Sequence, residues 1–186
     1  MRIISGLFKG KLINYLKNTN TRPLKDSVKE NIFNILHHSK LINTKIEHSN
    51  ILDLYSGIGS FGIECISRGA NKVTFVEQDN RALDVLKKNL VKLSILDKAE
   101  IINGKVKNIL ENYLKKKYNI FFIDPPFADS TFINNLNLIK KKKLYFSNHI
   151  VIIHRERGIN DDFKNLLKVT NEKKYGRSKI IFGLFS

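Results

Sequence analysis

Apolar residues recur along this chain in two spacings that alternate with each other. Short continuous apolar runs are typical of buried strands, and the segments between them place apolar residues three and four positions apart, as helices do. Strands that alternate with helices predict a doubly wound α/β domain with a mostly parallel sheet. The predicted strands span residues 50–54, 72–76, 99–102, 118–123, 149–153 and 179–185, and the predicted helices span 60–68, 80–93, 106–116, 130–139 and 161–167.

The first 38 residues predict a small basic extension ahead of this domain. Apolar residues on either side of glycines near its start predict two short strands around a turn. A helix is expected to follow, because Ser27 and Glu30 have the spacing of a capping box. We therefore predict a β-hairpin and helix over residues 1–38 and a main domain over residues 39–186.

The net charge is strongly positive. The chain has 33 Lys and Arg residues against 17 Asp and Glu residues, which gives a formal charge of +16 and an isoelectric point of about 9.9. Such an excess favours a polyanionic partner through long-range attraction and counterion release. A lysine-rich sequence whose charges are mostly solvated surface is the alternative, and composition alone leaves both interpretations open.

Several classes of protein and site are not expected. No apolar run approaches the roughly 20 residues of a membrane-spanning helix, and the N-terminus lacks the apolar region of a signal peptide. Cys65 is the only cysteine, and the five histidines lack the spacing of metal ligands. We therefore expect a cytoplasmic, monomeric protein with no metal and no membrane association.

A glycine-rich turn follows the first predicted strand. Gly57 and Gly59 allow the backbone to turn sharply and to approach a ligand without a Cβ in the way, as in sites for nucleotide-like cofactors. The spacing also fits the dinucleotide fingerprint, and Glu77 lies about 20 residues beyond Gly57, where that fingerprint expects its ribose-binding acid. The turn alone therefore leaves the cofactor undecided.

The segment Asp124-Pro125-Pro126-Phe127 ends the fourth predicted strand. In an open α/β sheet this segment and the glycine turn are neighbours at the carboxyl edge, where ligands bind. The two prolines stiffen the loop and cannot donate backbone hydrogen bonds. The Asp124 carboxylate and the Pro125 carbonyl can together accept both hydrogens of an NH₂ group, while Phe127 offers a flat face for a base.

This acceptor pair suits methyl transfer to the exocyclic amine of a nucleobase. The amine is a poor nucleophile because its lone pair is delocalised into the ring, and two acceptors orient that lone pair toward an electrophile. A sulfonium methyl group is the matching electrophile and needs no metal. Asp53 disfavours a nicotinamide enzyme, because strands that bind dinucleotides usually stay apolar up to the first glycine. A simple rigid turn is the alternative explanation of Asp-Pro-Pro.

Further short motifs accompany these two. They are Arg2-Ile-Ile-Ser-Gly with Lys9-Gly-Lys11, Arg22-Pro23 with Asp26-Ser-Val-Lys-Glu30 and Phe33-Asn34, Asp53-Leu-Tyr-Ser-Gly-Ile-Gly-Ser-Phe-Gly-Ile-Glu64, Ser67-Arg-Gly-Ala70, Phe75-Val-Glu77 and Asp124-Pro-Pro-Phe127. Over nearly its full length the chain thus resembles the RsmD-type 16S ribosomal RNA guanine-N2 methyltransferases. The resemblance implies a Rossmann-like fold that depends on S-adenosylmethionine.

The resemblance also assigns roles to residues. It implies that Asp53, Gly57 and Gly59 hold S-adenosylmethionine, that Glu77 holds the ribose hydroxyls, and that Asn103 contacts the adenine. The segment 124–127 would receive a guanine of 16S rRNA, within a 30S subunit or an assembly intermediate. Four basic residues of the extension are expected to contact that RNA: Arg2, Lys9, Lys11 and Arg22.

Two other functions stay open. Adenine-N6 methylation of DNA uses the same four-residue motif, although 186 residues leave little room for a target-recognition domain. A non-catalytic RNA-binding assembly factor would keep the fold without needing both motifs. His154, Arg155 and Arg157 are interpreted as RNA contacts or as a solvated strand end, and the turn at 175–178 is given no chemistry.

Overall fold

The computed structural model of the chain describes residues 1–16, 24–39 and 42–186. Within them the α-helices are α1 (Asp26–His38), α2 (Ser60–Ser67), α3 (Asn80–Lys92), α4 (Val106–Asn112) and α5 (Phe132–Lys141), and a 3-10 turn spans Leu96–Lys98. The strands are β1 (Asn50–Leu54), β2 (Lys72–Glu77), β3 (Ala99–Asn103), β4 (Tyr118–Ile123), β5 (Tyr145–Glu156), β6 (Leu167–Tyr175) and β7 (Ser178–Phe185).

The strands form one sheet in the order β3-β2-β1-β4-β5-β7-β6. The first five in this order pair in parallel, whereas β7 is antiparallel to both of its neighbours. The chain order therefore reverses between β1 and β4, whose carboxyl ends lie side by side. The predicted doubly wound, mostly parallel α/β sheet is confirmed.

Apolar residues on both faces of the central strands build two core clusters. In β4, Ile120 and Phe122 belong to one cluster, and Phe121 and Ile123 belong to the other. The first cluster includes apolar residues of α1, α2 and α3, and the second includes those of α4 and α5. Burial on both faces explains why the central parallel strands read as nearly continuous apolar runs.

The N-terminal extension packs on α2 through buried polar contacts. The Glu64 side chain is fully buried and accepts hydrogen bonds from the backbone N–H groups of Ile4 at 2.8 Å and Ser5 at 2.9 Å. The buried Lys29 of α1 donates to the carbonyl of Arg2 at 2.9 Å and lies 3.7 Å from Glu64. Burial lowers the pKa of Lys29. The division of the chain at residue 38 stays a prediction.

Several predicted boundaries differ from the structure. The segment 2–13 contains a single antiparallel bridge between Arg2 and Leu12 instead of two regular strands. The prediction of a capping box is wrong. Helix α1 begins at Asp26, and its N-cap residue, Lys25, makes no side-chain cap hydrogen bond. Helix α4 ends at Asn112, four residues before the predicted end.

The predicted helix at 161–167 is also wrong, and strand β6 was not predicted. Residues 164–166 form a turn, after which β6 runs along the edge of the sheet. Most of its side chains are at least partly exposed, so it lacks the apolar run that marks the inner strands. None of the described helices is long and apolar enough to span a bilayer.

Candidate active site

The carboxyl ends of β1, β2 and β4 surround a cavity of about 490 Å³. The glycine turn and the Asp-Pro-Pro-Phe loop form opposite parts of its wall, and residues of the N-terminal extension close it from one side. Its polar and reactive wall residues include Asp53, Tyr55, Ser56, Gly57, Glu77, Asp124, Pro125, Pro126, Phe127 and His154, and the extension contributes Met1, Tyr15 and Leu16. The structure thus brings three of the predicted cofactor residues together with all four predicted catalytic residues.

Glu77 holds the glycine turn in place. Its Oε2 accepts the backbone N–H of Gly57 at 2.8 Å, and its Oε1 accepts those of Gln78 at 2.8 Å and Asp79 at 2.9 Å. Gly57 has φ +54°, and a Cβ added there would meet no atom within 4 Å, so the turn opens into the cavity. A carboxylate has about four acceptor positions, and Glu77 therefore retains one for a hydroxyl group.

Gly59 and Asn103 are not part of the cavity wall. Gly59 has φ +81° and precedes α2, and a Cβ there would lie 2.4 Å from Cδ1 of Leu86. Its lack of a side chain therefore serves the turn and the packing of α2 against α3. Asn103 is exposed at the end of β3, where its Nδ2 donates to Oδ1 of Asn80 at 2.7 Å. Cofactor contact by either residue stays a prediction.

The Asp53 carboxyl is buried, and one of its two oxygens lacks a hydrogen bond within the described chain. Its Oδ2 accepts the backbone N–H of Gly62 at 3.0 Å, whereas its Oδ1 has no hydrogen-bond partner among the described residues. Burial raises the pKa of Asp53 well above its ordinary value, and the nearby Asp124 and Glu77 carboxylates raise it further. The hydroxyl of Ser56 is likewise buried and unpaired within the described chain. These atoms suit a ligand that presents hydrogen-bonding groups above the turn.

The loop at residues 124–127, the proposed reactive loop, is organised around Asp124 and His154. Oδ1 of Asp124 lies 2.8 Å from Nδ1 of His154, and because a carboxylate can only accept, Nδ1 carries the shared hydrogen. The His154 ring also meets Phe127 edge to face, with 5.6 Å between ring centroids. Neither Oδ2 of Asp124 nor the carbonyl of Pro125 takes part in a hydrogen bond with a described residue. Two acceptors at the cavity wall are thus available to an incoming group.

Arg155 fixes the same loop from behind. Its side chain is 1% exposed and forms a paired contact with Asp161, at 3.0 Å from Nε and 3.1 Å from Nη2. Its Nη1 donates to the carbonyl of Pro126 at 3.2 Å, and its guanidinium lies 4.5 Å from the centre of the Phe132 ring. The interpretation of Arg155 as an RNA contact or a solvated residue is therefore wrong.

The roles of His154 and Arg155 were not predicted, because the sequence pattern places the end of the fifth strand at residue 153. Strand β5 continues to Glu156, and the extra residues pair with β7. The signal in the sequence is weak, since charged residues after an apolar run usually mark a solvated strand end. Only the continued pairing with β7 shows that these side chains turn inward.

Of the four predicted RNA-contacting residues, the structure describes three. Arg2, Lys9 and Lys11 are exposed, and Nζ of Lys11 lies 5.0 Å from the centre of the Phe8 ring. Arg22 falls outside the described residues. In the described ranges, no group of three or more His, Cys, Asp and Glu side chains is arranged to hold a metal ion.

Comparison with known proteins connects this site to a family. A family model described as Conserved hypothetical protein 95 matches residues 1–183. Ribosomal RNA small subunit methyltransferase D of Buchnera aphidicola subsp. Baizongia pistaciae is 34% identical over 160 residues, which cover 86% of this chain and 78% of that protein. The protein of the same name from Haemophilus influenzae is 33% identical, with 84% of this chain and 79% of that protein covered.

The fold comparison agrees with the sequence comparison. The solved structure of yhhF from Escherichia coli superposes with a TM-score of 0.82 at 26% identity, covering 100% of this chain and 98% of that one. The fold is the Rossmann-like fold of S-adenosylmethionine-dependent methyltransferases, as predicted. Since the family model spans nearly the whole chain and both relatives exceed 30% identity, the chain belongs to the Conserved hypothetical protein 95 family, that of the RsmD-type ribosomal RNA methyltransferases.

Proposed function

We propose that this protein methylates the N2 amine of a guanine in 16S rRNA with S-adenosylmethionine as methyl donor. The observation that carries this proposal is the pair of available acceptors, Asp124 Oδ2 and the Pro125 carbonyl, on the wall of the cavity that also contains the glycine turn. The names of the relatives support small-subunit rRNA as the substrate class. The resemblance of the N-terminal motifs to the guanine-N2 methyltransferases supports guanine N2 as the acceptor.

The residues around the glycine turn fit the cofactor. Asp53 Oδ1 and the Ser56 hydroxyl are unpaired polar atoms of the described cavity wall, and Glu77 retains an acceptor for a ribose hydroxyl. Gly57 leaves the space that a Cβ would take. When bound, S-adenosylmethionine supplies an electrophilic methyl group on a sulfonium sulfur.

The reactive loop prepares the amine. Asp124 Oδ2 and the Pro125 carbonyl accept its two hydrogens, which orients the nitrogen lone pair toward the methyl group. As the N–C bond formed and the methyl C–S bond of the donor broke to leave a neutral thioether, positive charge would develop on nitrogen, and the Asp124 carboxylate would stabilise it. Asp124 Oδ2 then accepts one proton from the methylated amine. Through Nδ1–H, His154 keeps the carboxylate in the required orientation, and Phe127 stacks against the base.

The basic extension supplies the contact with RNA. Arg2, Lys9, Lys11 and Arg22 would neutralise phosphates, and the net charge of +16 would draw the protein to an RNA polyanion. We include in the proposal that the enzyme acts as a monomer in the cytoplasm, on the 30S subunit or one of its assembly intermediates. The target base must be unpaired or flipped out of its helix to reach the cavity.

The proposal is tested by methyl transfer followed by nucleoside analysis. Labelled S-adenosylmethionine is incubated with 16S rRNA and with 30S particles that lack the modification. We expect N2-methylguanosine at a single site. Asp124→Ala should lower the rate by about 10²-fold with cofactor affinity retained, whereas Asp97→Ala removes an exposed carboxyl far from the cavity and should behave as wild type.

Other outcomes would redirect the assignment. N6-methyladenosine would overturn guanine as the target while leaving the cofactor in place. Failure of wild type to label any nucleoside, with the cofactor bound, would refute the enzymatic proposal and favour a binding factor. An Asp124→Ala protein that remains fully active would refute the role of the acceptor pair.

A further inference from the structure

A second cavity of about 780 Å³ adjoins the first. The two share Met1, Tyr15, Leu24, Phe127 and His154, so Phe127 and His154 form the boundary between them. A molecule whose reactive group enters the first cavity past Phe127 can therefore extend its remaining parts into the second. None of the motifs in the sequence indicates what the second cavity binds.

The walls of the second cavity come from two distant parts of the chain. One wall is the N-terminal extension with the start of α1, which contributes Tyr15 and Lys25. The other is the tight turn between β6 and β7, where Tyr175 pairs with Ser178 and Arg177 lies at the tip. Each wall thus presents one aromatic ring and one cation.

The charged groups are disposed for a polyanion. The Arg177 side chain is 72% exposed, and its only ion pair among the described residues is the 3.4 Å contact with Glu156. The backbone N–H of the exposed Arg157 donates to the carbonyl of Arg177 at 2.8 Å, which brings a further cation to this rim. Asp26 is the one acid of the described cavity wall, and it lies 3.7 Å from Lys29, which compensates its charge.

We infer that this second cavity is the groove that holds the nucleotides flanking the target guanine as a single strand. This inference rests on the proposed function. Single-stranded RNA is typically bound by aromatic faces that stack bases and by cations that follow the backbone. Tyr15 and Tyr175 supply the faces, and Lys25 and Arg177 supply the cations. The groove places the turn between β6 and β7 in substrate recognition, next to the reactive loop.

The test compares two groove variants with two matched controls. Tyr15→Ala removes a ring that is 51% exposed, and Arg177→Ala removes a cation paired with a glutamate. The controls are Tyr113→Ala, a ring that is 68% exposed, and Lys116→Ala, a cation 67% exposed and 3.2 Å from Glu100. Neither control residue lines the second cavity, and the contact with Glu100 places Lys116 beside β3, the edge strand on the other side of the sheet.

Methyl transfer is measured as a function of 16S rRNA concentration at saturating S-adenosylmethionine. Each groove variant should raise KM for RNA about tenfold. Arg177 is not part of the wall of the first cavity, so Arg177→Ala should keep kcat and the Kd for S-adenosylmethionine within twofold of wild type. Arg177→Ala should also flatten the slope of log Kd for RNA against log salt by about 0.7, the loss of one single-strand phosphate contact. The controls should change none of these quantities.

The inference is overturned if the groove variants keep the wild-type KM, or if the controls raise it equally. Tyr15→Leu replaces Tyr15→Ala if the latter lowers the melting temperature. Failure of the proposed function gives a different result, namely that wild type methylates no rRNA. In that case the affinity of the same four variants for 16S rRNA is measured instead. Equal affinities of the groove variants and the controls would refute the groove as an RNA-binding site.

Discussion

Replacing Arg155 by methionine would leave the carboxylate of Asp161 buried without its partner. The side chains of this pair are 1% and 6% exposed, and two hydrogen bonds of 3.0 and 3.1 Å join them. Breaking a buried ion pair from one side costs about 3–5 kcal/mol, because the remaining charge is neither solvated nor paired. We expect Arg155→Met to lower the free energy of unfolding by about 4 kcal/mol.

A second substitution separates stability from loop positioning. Arg155→Met with Asp161→Leu removes both charges, and apolar replacement of a buried ion pair is often close to neutral. Stability should therefore return to within about 1 kcal/mol of wild type. The carbonyl of Pro126 still lacks the guanidinium donor and keeps only the N–H of Asp129, at 2.8 Å. We expect kcat for methyl transfer to stay about tenfold low, which corresponds to about 1.4 kcal/mol of transition-state stabilisation.

Urea unfolding and steady-state methyl transfer measure the two effects on the same proteins. Arg81→Met serves as the stability control, because Arg81 is 70% exposed and its 3.4 Å contact with Asp79 should contribute less than about 1 kcal/mol. KM for rRNA and the Kd for S-adenosylmethionine should be unchanged in the double variant. A double variant that recovers kcat along with stability would refute the role of Arg155 in positioning the loop. A single variant as stable as wild type would refute the predicted cost of breaking the buried ion pair.

Two further sites give separate tests. Gly57→Ala should cost about 1 kcal/mol for its positive φ but weaken S-adenosylmethionine binding about tenfold, since a Cβ there enters the cavity. Gly59→Ala should instead cost about 3 kcal/mol of stability, because its Cβ would also press on Leu86. Calorimetric titration measures the affinity for S-adenosylmethionine and thermal unfolding measures the stability. Equal changes in the two variants would contradict these predictions. Burial lowers the pKa of His149 below 6.5, and its Nε2 accepts the N–H of Phe185 at 2.9 Å, so the unfolded chain takes up the proton first and stability should fall as pH drops below about 6.5. His149→Gln should flatten the melting temperature between about pH 7.5 and 5.5, and an unaltered pH profile would exclude this residue as the cause.

The parallel half of the fold was predictable because its strands are buried on both faces. Such strands are nearly continuous apolar runs, as in β4, where Asn119 is the one polar residue, and the sequence shows this directly. Strand β6 is different, because it lies at the sheet edge and is specified by pairing with β7 instead of by burial. Its lysines and glutamate are compatible with a strand only once its partner is known, and local pattern cannot supply that partner.

The proposed reactive segment, residues 124–127, could be identified for a similar local reason, whereas the contacts that support it could not. Asp124 and its prolines form one continuous motif, so a chemical role can be proposed for them once the alternating pattern places the motif after a strand. His154 meets Asp124 across 30 positions of sequence, and Arg155 depends on Asp161 beyond the end of β5. A charged residue whose partner is unknown looks solvated, and this is why both residues were assigned to the surface.

Helix α2 joins the N-terminal extension, which is proposed to bind RNA, to the glycine turn, which is proposed to bind the cofactor. Helix α2 begins directly after the glycine turn, and its buried Glu64 accepts the N–H groups of Ile4 and Ser5. Ser67 of the same helix accepts the N–H of Phe8 at 3.0 Å through its hydroxyl. The segment that carries Arg2, Lys9 and Lys11 is therefore anchored to the helix that follows the glycine turn. Because a buried carboxylate with two charge-assisted hydrogen bonds is costly to release, the distance between these surfaces is set by packing and not by a flexible linker.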